Sequence, residues 1–184
     1  QLMQEMITAN SVRTLFAENS KYLKHLEFES QPSQMFQDVF EELLTAIQQK
    51  VQVQFSHYSY QKNQTENYQV KSLFLKQYQN RWYLIAEHNK THKAFALDRI
   101  NDLEKTNTKF KADLTKVKQA YTQIVGLTNE DNKKIEHVQL RFHSSQKNYV
   151  KSVPIHKKQQ EITDSANEYT IAFYVKPNFE LKQQ

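Results

Sequence analysis

The feature that most limits how this chain can fold is a run of short strand-like segments with only turns between them. Val51 to Tyr58, VQVQFSHY, alternates apolar and polar residues, the period of a half-buried strand. Asn80 to His88, NRWYLIAEH, reads as a more buried strand, and Lys93 to Ile100, KAFALDRI, as a shorter piece holding an Asp98–Arg99 pair. Strands are expected over 51–58, 67–77, 80–88, 93–98 and 100–105, joined by polar turns such as QKNQTEN and NKTH. Five strands with local turns and no crossover helix predict a small, strongly bent sheet or barrel. Along the first strand Val51, Val53 and Phe55 share one face, and Gln52, Gln54, Ser56 and Tyr58 share the other.

Composition removes many activities. A single Gly among 184 residues leaves no glycine-rich phosphate loop and no nucleophile elbow of the Gly-x-Ser-x-Gly kind. The absence of Cys fits a reducing cytoplasm and excludes cysteine-ligated zinc, iron–sulfur clusters and thiol catalysis. His88 and His92 are four apart, but HNKTH reads as a turn and lacks the Glu of a zinc-protease helix. Glu41 and Glu42 are neighbours on a helix and do not face each other as an acid–base pair would. No enzyme activity, metal or cofactor is therefore expected. No apolar run approaches the roughly 20 residues that span a bilayer, so no membrane partner is expected either. The 11 Phe and 10 Tyr can build a core although only 38% of residues are hydrophobic.

Charge is uneven. Residues 1–49 hold 3 basic and 7 acidic side chains, residues 50–111 hold 11 and 5, and residues 112–184 hold 11 and 8. The positive excess thus sits on the strand-rich middle, where an anionic ligand could use it, although lysines on solvated strands are also ordinary.

Two helices precede the strands, over 11–28 and 35–48. Val12, Leu15, Phe16, Tyr22, Leu23 and Leu26 form one stripe, and Phe36, Val39, Phe40, Leu43, Leu44 and Ile47 another. Such short amphipathic helices must pack on each other, on the sheet or on a partner chain. After the strands, Leu114, Val117, Tyr121 and Ile124 mark a further helix, with Gly126 placed as its C-terminal cap. The last third reads β-α-β-β-α: strands at 137–142, 161–163 and 169–175, a helix at 144–152, and a second helix opening in NFELKQQ.

VQVQFSHY, NRWYLIAEH and KAFALDRI, in this order, resemble the WYL domain, a ligand-sensing module of bacterial transcription regulators. VGLT (125–128), YVKSVPIH (149–156) and FELKQQ (179–184) resemble the extension that commonly follows it, so the resemblance covers roughly residues 40–184. It implies an α+β fold: N-terminal helices, a small five-stranded β-barrel of SH3 or Sm type, and a partial ferredoxin-like unit lacking its final strand. The expected divisions are a helical linker region at 1–49, the WYL-like module at 50–111, a connecting helix and linker at 112–135, and the truncated extension at 136–184.

The resemblance also singles out a ligand surface. Tyr58 falls where the family has a tyrosine near it, and Tyr83, opposite in facing to the core candidate Trp82, is a second aromatic contact. Arg81 and Lys76 would supply nearby charge. Lys93 stands where the family usually has an arginine, and Ala96 where it often has a basic residue. An ammonium binds phosphate but lacks the bidentate fork and stacking plane of a guanidinium. Arg99 is retained, either as a ligand contact or as the partner of Asp98 or another carboxylate. Ser72 replaces a usual proline, and His156 falls on a recurrent histidine of the extension, read as a hydrogen-bonded side chain.

Two functions follow. In the first, Tyr58, Lys76, Arg81, Tyr83, Lys93 and Arg99 bind single-stranded nucleic acid or a nucleotide and relay it to a DNA-binding domain upstream of Gln1 that contacts promoter DNA. In the second, the chain is a constitutive dimerisation scaffold with no ligand. A homodimer in the cytoplasm is expected of both. The two ends of the chain read as those of a segment of a longer protein.

Overall fold

A computed structural model describes residues 34–130 and 132–183. The helix expected over 11–28 lies outside the described residues. The second expected helix is present as α1 (Gln34–Gln49), and its stripe puts Val39, Leu43 and Ala46 into the first core.

The strand-rich middle contains β1 (Val51–Ser59), β2 (Gln64–Tyr78), β3 (Arg81–His88), β4 (Thr91–Ala96) and β5 (Ile100–Lys109). They form one antiparallel sheet in the order β4-β3-β2-β1-β5. The β2–β3 and β3–β4 links are two residues long, and both residues of each have positive φ: Gln79 (46°) and Asn80 (59°), then Asn89 (50°) and Lys90 (65°). This is the mirror-image turn that matches strand twist. With one glycine in the chain, Asn supplies part of that conformation.

The structure corrects the barrel expectation. A closed barrel needs a ladder between β4 and β5, and none is present among the described residues, so the sheet is open. The strand expected over 93–98 stops at Ala96, because Leu97–Arg99 winds into a 3-10 turn that carries the chain from one sheet edge to the other. Leu97 drops into the core there, and Arg99 leaves on the opposite side of the turn, half-buried.

Val51, Val53, Phe55, Val70, Leu84, Ala86 and Phe95 project from the inner face of the sheet against α1. Trp82 packs on this core, edge-on to Phe40 with ring centroids 5.2 Å apart, which agrees with its reading as a core residue. The outer face is partly covered as well. Ile85, Phe74 and Ala94 meet Val117, Tyr121 and Ile124 of the connecting segment, which holds α2 (Leu114–Tyr121). Asp113 caps α2 by accepting from the Lys116 N–H at 3.0 Å.

Gly126 is not the cap of α2, which ends on Thr122. Its φ of +77° and its surroundings give the reason for a glycine: a Cβ there would lie 2.7 Å from Glu180 Cγ and 3.2 Å from the Tyr78 ring. It marks a close approach of three chain segments. Glu180 then accepts hydrogen bonds from the Leu127 and Thr128 N–H groups and the Thr128 hydroxyl, at 3.2, 2.9 and 2.8 Å. Asn178 donates to the carbonyls of Val125 and Thr128 at 2.7 and 2.9 Å. The end of the chain therefore holds segment 125–128 in place.

The last third forms a second, separate sheet from β6 (Glu136–His143), β7 (Gln160–Asp164) and β8 (Glu168–Val175), in the order β6-β8-β7. Between β6 and β7 lies α3 (Lys147–Ser152). Both outer strands run antiparallel to β8, so β6 and β7 are parallel to each other with a helical crossover between them. That is the split β-α-β arrangement. Its core holds Val125, Val150, Tyr169, Ile171, Phe173, Val175 and Leu181.

Candidate ligand-binding site

At the end of β1 the alternation puts His57 on the same inner face as Val53 and Phe55. His57 is buried, edge-on to Phe95 with centroids 5.3 Å apart, and Phe95 in turn meets Tyr68 at 4.8 Å. These rings form the floor of a cleft of about 390 Å³. Its walls are Ser59 at the end of β1, Tyr60 and Gln61 from the β1–β2 turn, His92 and Lys93 from β4, Arg99 from the 3-10 turn, and Leu127, Thr128 and Asn129 from the segment that Glu180 holds.

Two cations flank this cleft, and both rest on aromatic faces. The Arg99 guanidinium lies 4.5 Å from the Tyr60 ring centroid and Lys93 Nζ 5.2 Å from that of Tyr68. Among the described residues neither makes an ion pair. Asp98, the carboxylate beside Arg99 in sequence, lies 3.6 Å from Arg81 instead. Arg99 Nη1 donates weakly to the Tyr58 carbonyl at 3.4 Å.

The polar atoms of the cleft are also unusually unsatisfied. His57 Nε2, His92 Nδ1 and Arg99 Nε are all buried atoms without a hydrogen-bond partner. Most buried polar groups are paired, and leaving one unmade costs about 1–3 kcal/mol. All three belong to residues that line one cleft, and that coincidence is informative. Burial, helped by the Arg99 charge, pushes His57 down to about 4, against weaker pulls from Asp98 and a backbone hydrogen bond with Ala96. The imidazole is neutral at pH 7. Tyr68 is pushed up to about 12 by burial and by its hydrogen bond to Glu66, so it stays an uncharged ring. The Glu66 carboxylate, which also accepts from Lys62, is lowered to about 2, chiefly by that lysine.

A larger hollow of about 490 Å³ lies beside Gln54, Ser56, Asp102 and Glu104. It carries two carboxylates, bonded to Ser56 and Gln54, and no cation, which disfavours an anion there.

The six residues singled out from sequence do not share one surface. Lys93 and Arg99 line the cleft. Tyr58 lies next to it on the opposite face of β1, where its hydroxyl donates to Asn63 and its ring meets Tyr60 edge-on at 5.8 Å. Lys76 and Tyr83 are cross-strand partners on the outer face. There Lys76 Nζ sits 5.3 Å from the Tyr121 ring centroid, and burial, with Lys157 adding to it, lowers its pKa against Glu180. Arg81 is exposed at the far end of β3, paired with Asp98. The sequence pattern does not single out His57, Tyr60 or Tyr68, and His92 is weighed there only as a metal ligand. A signal existed for His57 alone: a histidine continuing the apolar face of VQVQFSHY is a polar group entering a core.

His156 behaves as expected of it. Nε2 pairs with the Thr122 carbonyl at 3.0 Å, Nδ1 accepts from the Lys158 N–H at 3.2 Å, and the ring stacks on Phe173. Among the described residues no group of three or more His, Cys, Asp or Glu side chains is placed to hold a metal ion. No helix among them is long and apolar enough to cross a membrane.

Residues 38–105 match the family model of the WYL domain. The match spans most of α1 and of the first sheet, including Lys93 and Arg99, and stops before the C-terminal unit. No curated protein matches the chain. Among solved structures, proteasome accessory factor B/C (PafBC) of Arthrobacter aurescens is similar at 17% identity and a TM-score of 0.39. The similarity covers 78% of this chain and 22% of that one, so the chain spans under a quarter of that structure's length.

Proposed function

We propose that this chain is the ligand-sensing regulatory portion of a bacterial transcription regulator, with no enzymatic activity. The cleft between the β1–β2 turn, β4 and residues 127–129 takes single-stranded nucleic acid or a nucleotide. Binding is relayed to a DNA-binding domain outside this chain that contacts promoter DNA. The middle of the chain is similar to the WYL domain, which supports a regulatory role. The observation that carries the ligand is the pair of cations, Lys93 and Arg99, lying on tyrosine rings without a carboxylate while Arg99 Nε and His57 Nε2 lack partners. Phosphate oxygens satisfy the cations and the Arg99 donor. Bases stack on exposed rings such as Tyr60, each worth about 1–3 kcal/mol.

Fluorescence anisotropy with labelled oligonucleotides tests this. Single strands should bind more tightly than duplex, with a log–log salt slope of about −0.7 per phosphate neutralised. Arg99→Ala should weaken binding at least about tenfold, roughly 1.4 kcal/mol, without unfolding the domain. Lys93→Arg should tighten it, because the fork adds a second hydrogen bond. Equal affinities for the wild type and Arg99→Ala, or no salt dependence, would favour the competing reading of a homodimeric scaffold without ligand.

A further inference from the structure

His57 is the least explained residue of the cleft. Its ring is 7% exposed and packs edge-on against Phe55 and Phe95, yet Nε2 is buried with no partner. A histidine kept only for packing would normally have both nitrogens bonded, as His156 does. The charged and titratable groups that face it are few. From the 3-10 turn come Arg99 and Asp98, and from β2 comes Tyr68, 6.4 Å away between ring centroids. From β4, His92 and Lys93 line the same cleft, as does Tyr60 from the β1–β2 turn. Two carboxylates stand near it, and both are committed elsewhere: Asp98 pairs with Arg81, and Glu66, the cross-strand partner of His57 on β2, accepts from Lys62 and Tyr68.

On the reading that the cleft takes a phosphate-bearing ligand, we infer that His57 is an anion-binding residue that takes up a proton as the ligand's phosphate enters, so that affinity is linked to pH. The balance is simple. The empty cleft holds a neutral ring beside the Arg99 cation, and a second positive charge there is unfavourable. A phosphate oxygen brings negative charge to Arg99 and an acceptor to the cleft. The imidazole then gains a proton from solvent and donates through Nε2. No bond is broken, and one proton is taken up per ligand.

The linkage has a definite sign. Free His57 titrates at about 4. If the bound anion restores it to the ordinary value near 6.5, affinity should rise about tenfold between pH 7.5 and pH 5.5. The change should stop as pH falls toward the free value, because both states are then protonated.

The probe is oligothymidine without a terminal phosphate, labelled with a rhodamine dye, because neither thymine nor a phosphodiester titrates between pH 5 and 8. Anisotropy is measured at constant ionic strength from pH 5.5 to 7.5, with the folded state checked by circular dichroism. The wild type should bind about tenfold more tightly at the acid end. In His57→Gln, which keeps a polar side chain and cannot charge, that gain should be lost. His92→Gln should retain the gain. Calorimetry of the wild type in buffers of different ionisation enthalpy gives the proton uptake directly, and so covers the case where His57→Gln fails to fold. Oligothymidine binding that is independent of pH, or an unchanged pH dependence in His57→Gln, would overturn the role of His57 and leave the ligand reading intact. No binding at any pH would overturn both.

Discussion

In the C-terminal unit Lys151 lies 2.7 Å from Glu161, Lys147 pairs with Asp164, and Arg141 faces Glu168. In the cleft of the first sheet Lys93 and Arg99 lie on tyrosine rings and have no such partners among the described residues. The buried histidines divide the same way: His156 has both ring nitrogens engaged, and His57 leaves Nε2 open. Residue types are alike in the two regions, but in the cleft the cations rest on tyrosine rings beside buried nitrogens that lack partners. Net charge alone does not separate a binding surface from a solvated one. The placement of the carboxylates does.

The comparison can be broken most forcefully at the two cores. Leu84→Ala and Ile171→Ala each empty a fully buried site and should each cost about 2–5 kcal/mol. Trp82, the only tryptophan, packs on the first core. Leu84→Ala should therefore shift the denaturant midpoint seen by Trp82 fluorescence. Ile171→Ala should shift the midpoint seen by circular dichroism and leave the Trp82 transition in place. A joint shift would mean that the contacts of Tyr121 and Ile124 bind the two regions into one cooperative unit.

Acid sharpens the contrast between the histidines. The folded state holds His57 at about 4, while the unfolded chain titrates near 6.5, so the unfolded state takes the proton first. Stability from this group is complete above pH 6.5 and is lost as pH falls toward 4, by up to about 1.4 kcal/mol per pH unit. His156 is lowered too, mainly by burial, and acts in the same direction. Denaturation measured between pH 7.5 and 4.5 should show this slope, and His57→Gln should reduce it without abolishing it. An unchanged slope would mean that His57 does not titrate in this window.

The smallest effect belongs to the paired surface. Arg141→Ala should change stability by no more than about 1 kcal/mol, since exposed ion pairs contribute little. It should leave oligonucleotide affinity unchanged, whereas Arg99→Ala weakens it. A loss of affinity in Arg141→Ala would extend the binding surface beyond the cleft.

Much of the fold could be read from the chain. The alternation of VQVQFSHY and the apolar run around Trp82-Tyr83-Leu84 set the strands, and the stripe of Val39, Leu43 and Ile47 set the helix that covers them. The strands and the first helix of the last third were also legible, because period and turn residues are local signals, whereas the helix expected to open in NFELKQQ is a 3-10 turn over Glu180–Gln183. What lay beyond the sequence depended on segments meeting across distance. Gly126 looks like a helix cap until Glu180, 54 residues away, is seen to occupy the space of its missing Cβ. Lys76 and Tyr83 are a basic–aromatic pair in sequence terms, yet they lie on the outer face, where Lys76 rests on the Tyr121 ring and away from the cleft. Asp98 adjoins Arg99 in the chain but turns to Arg81, which leaves Arg99 uncommitted. Local pattern fixes which face of its own strand a residue takes. Which atoms remain without partners is settled only when every other element has found its place, and the cleft is defined by those atoms.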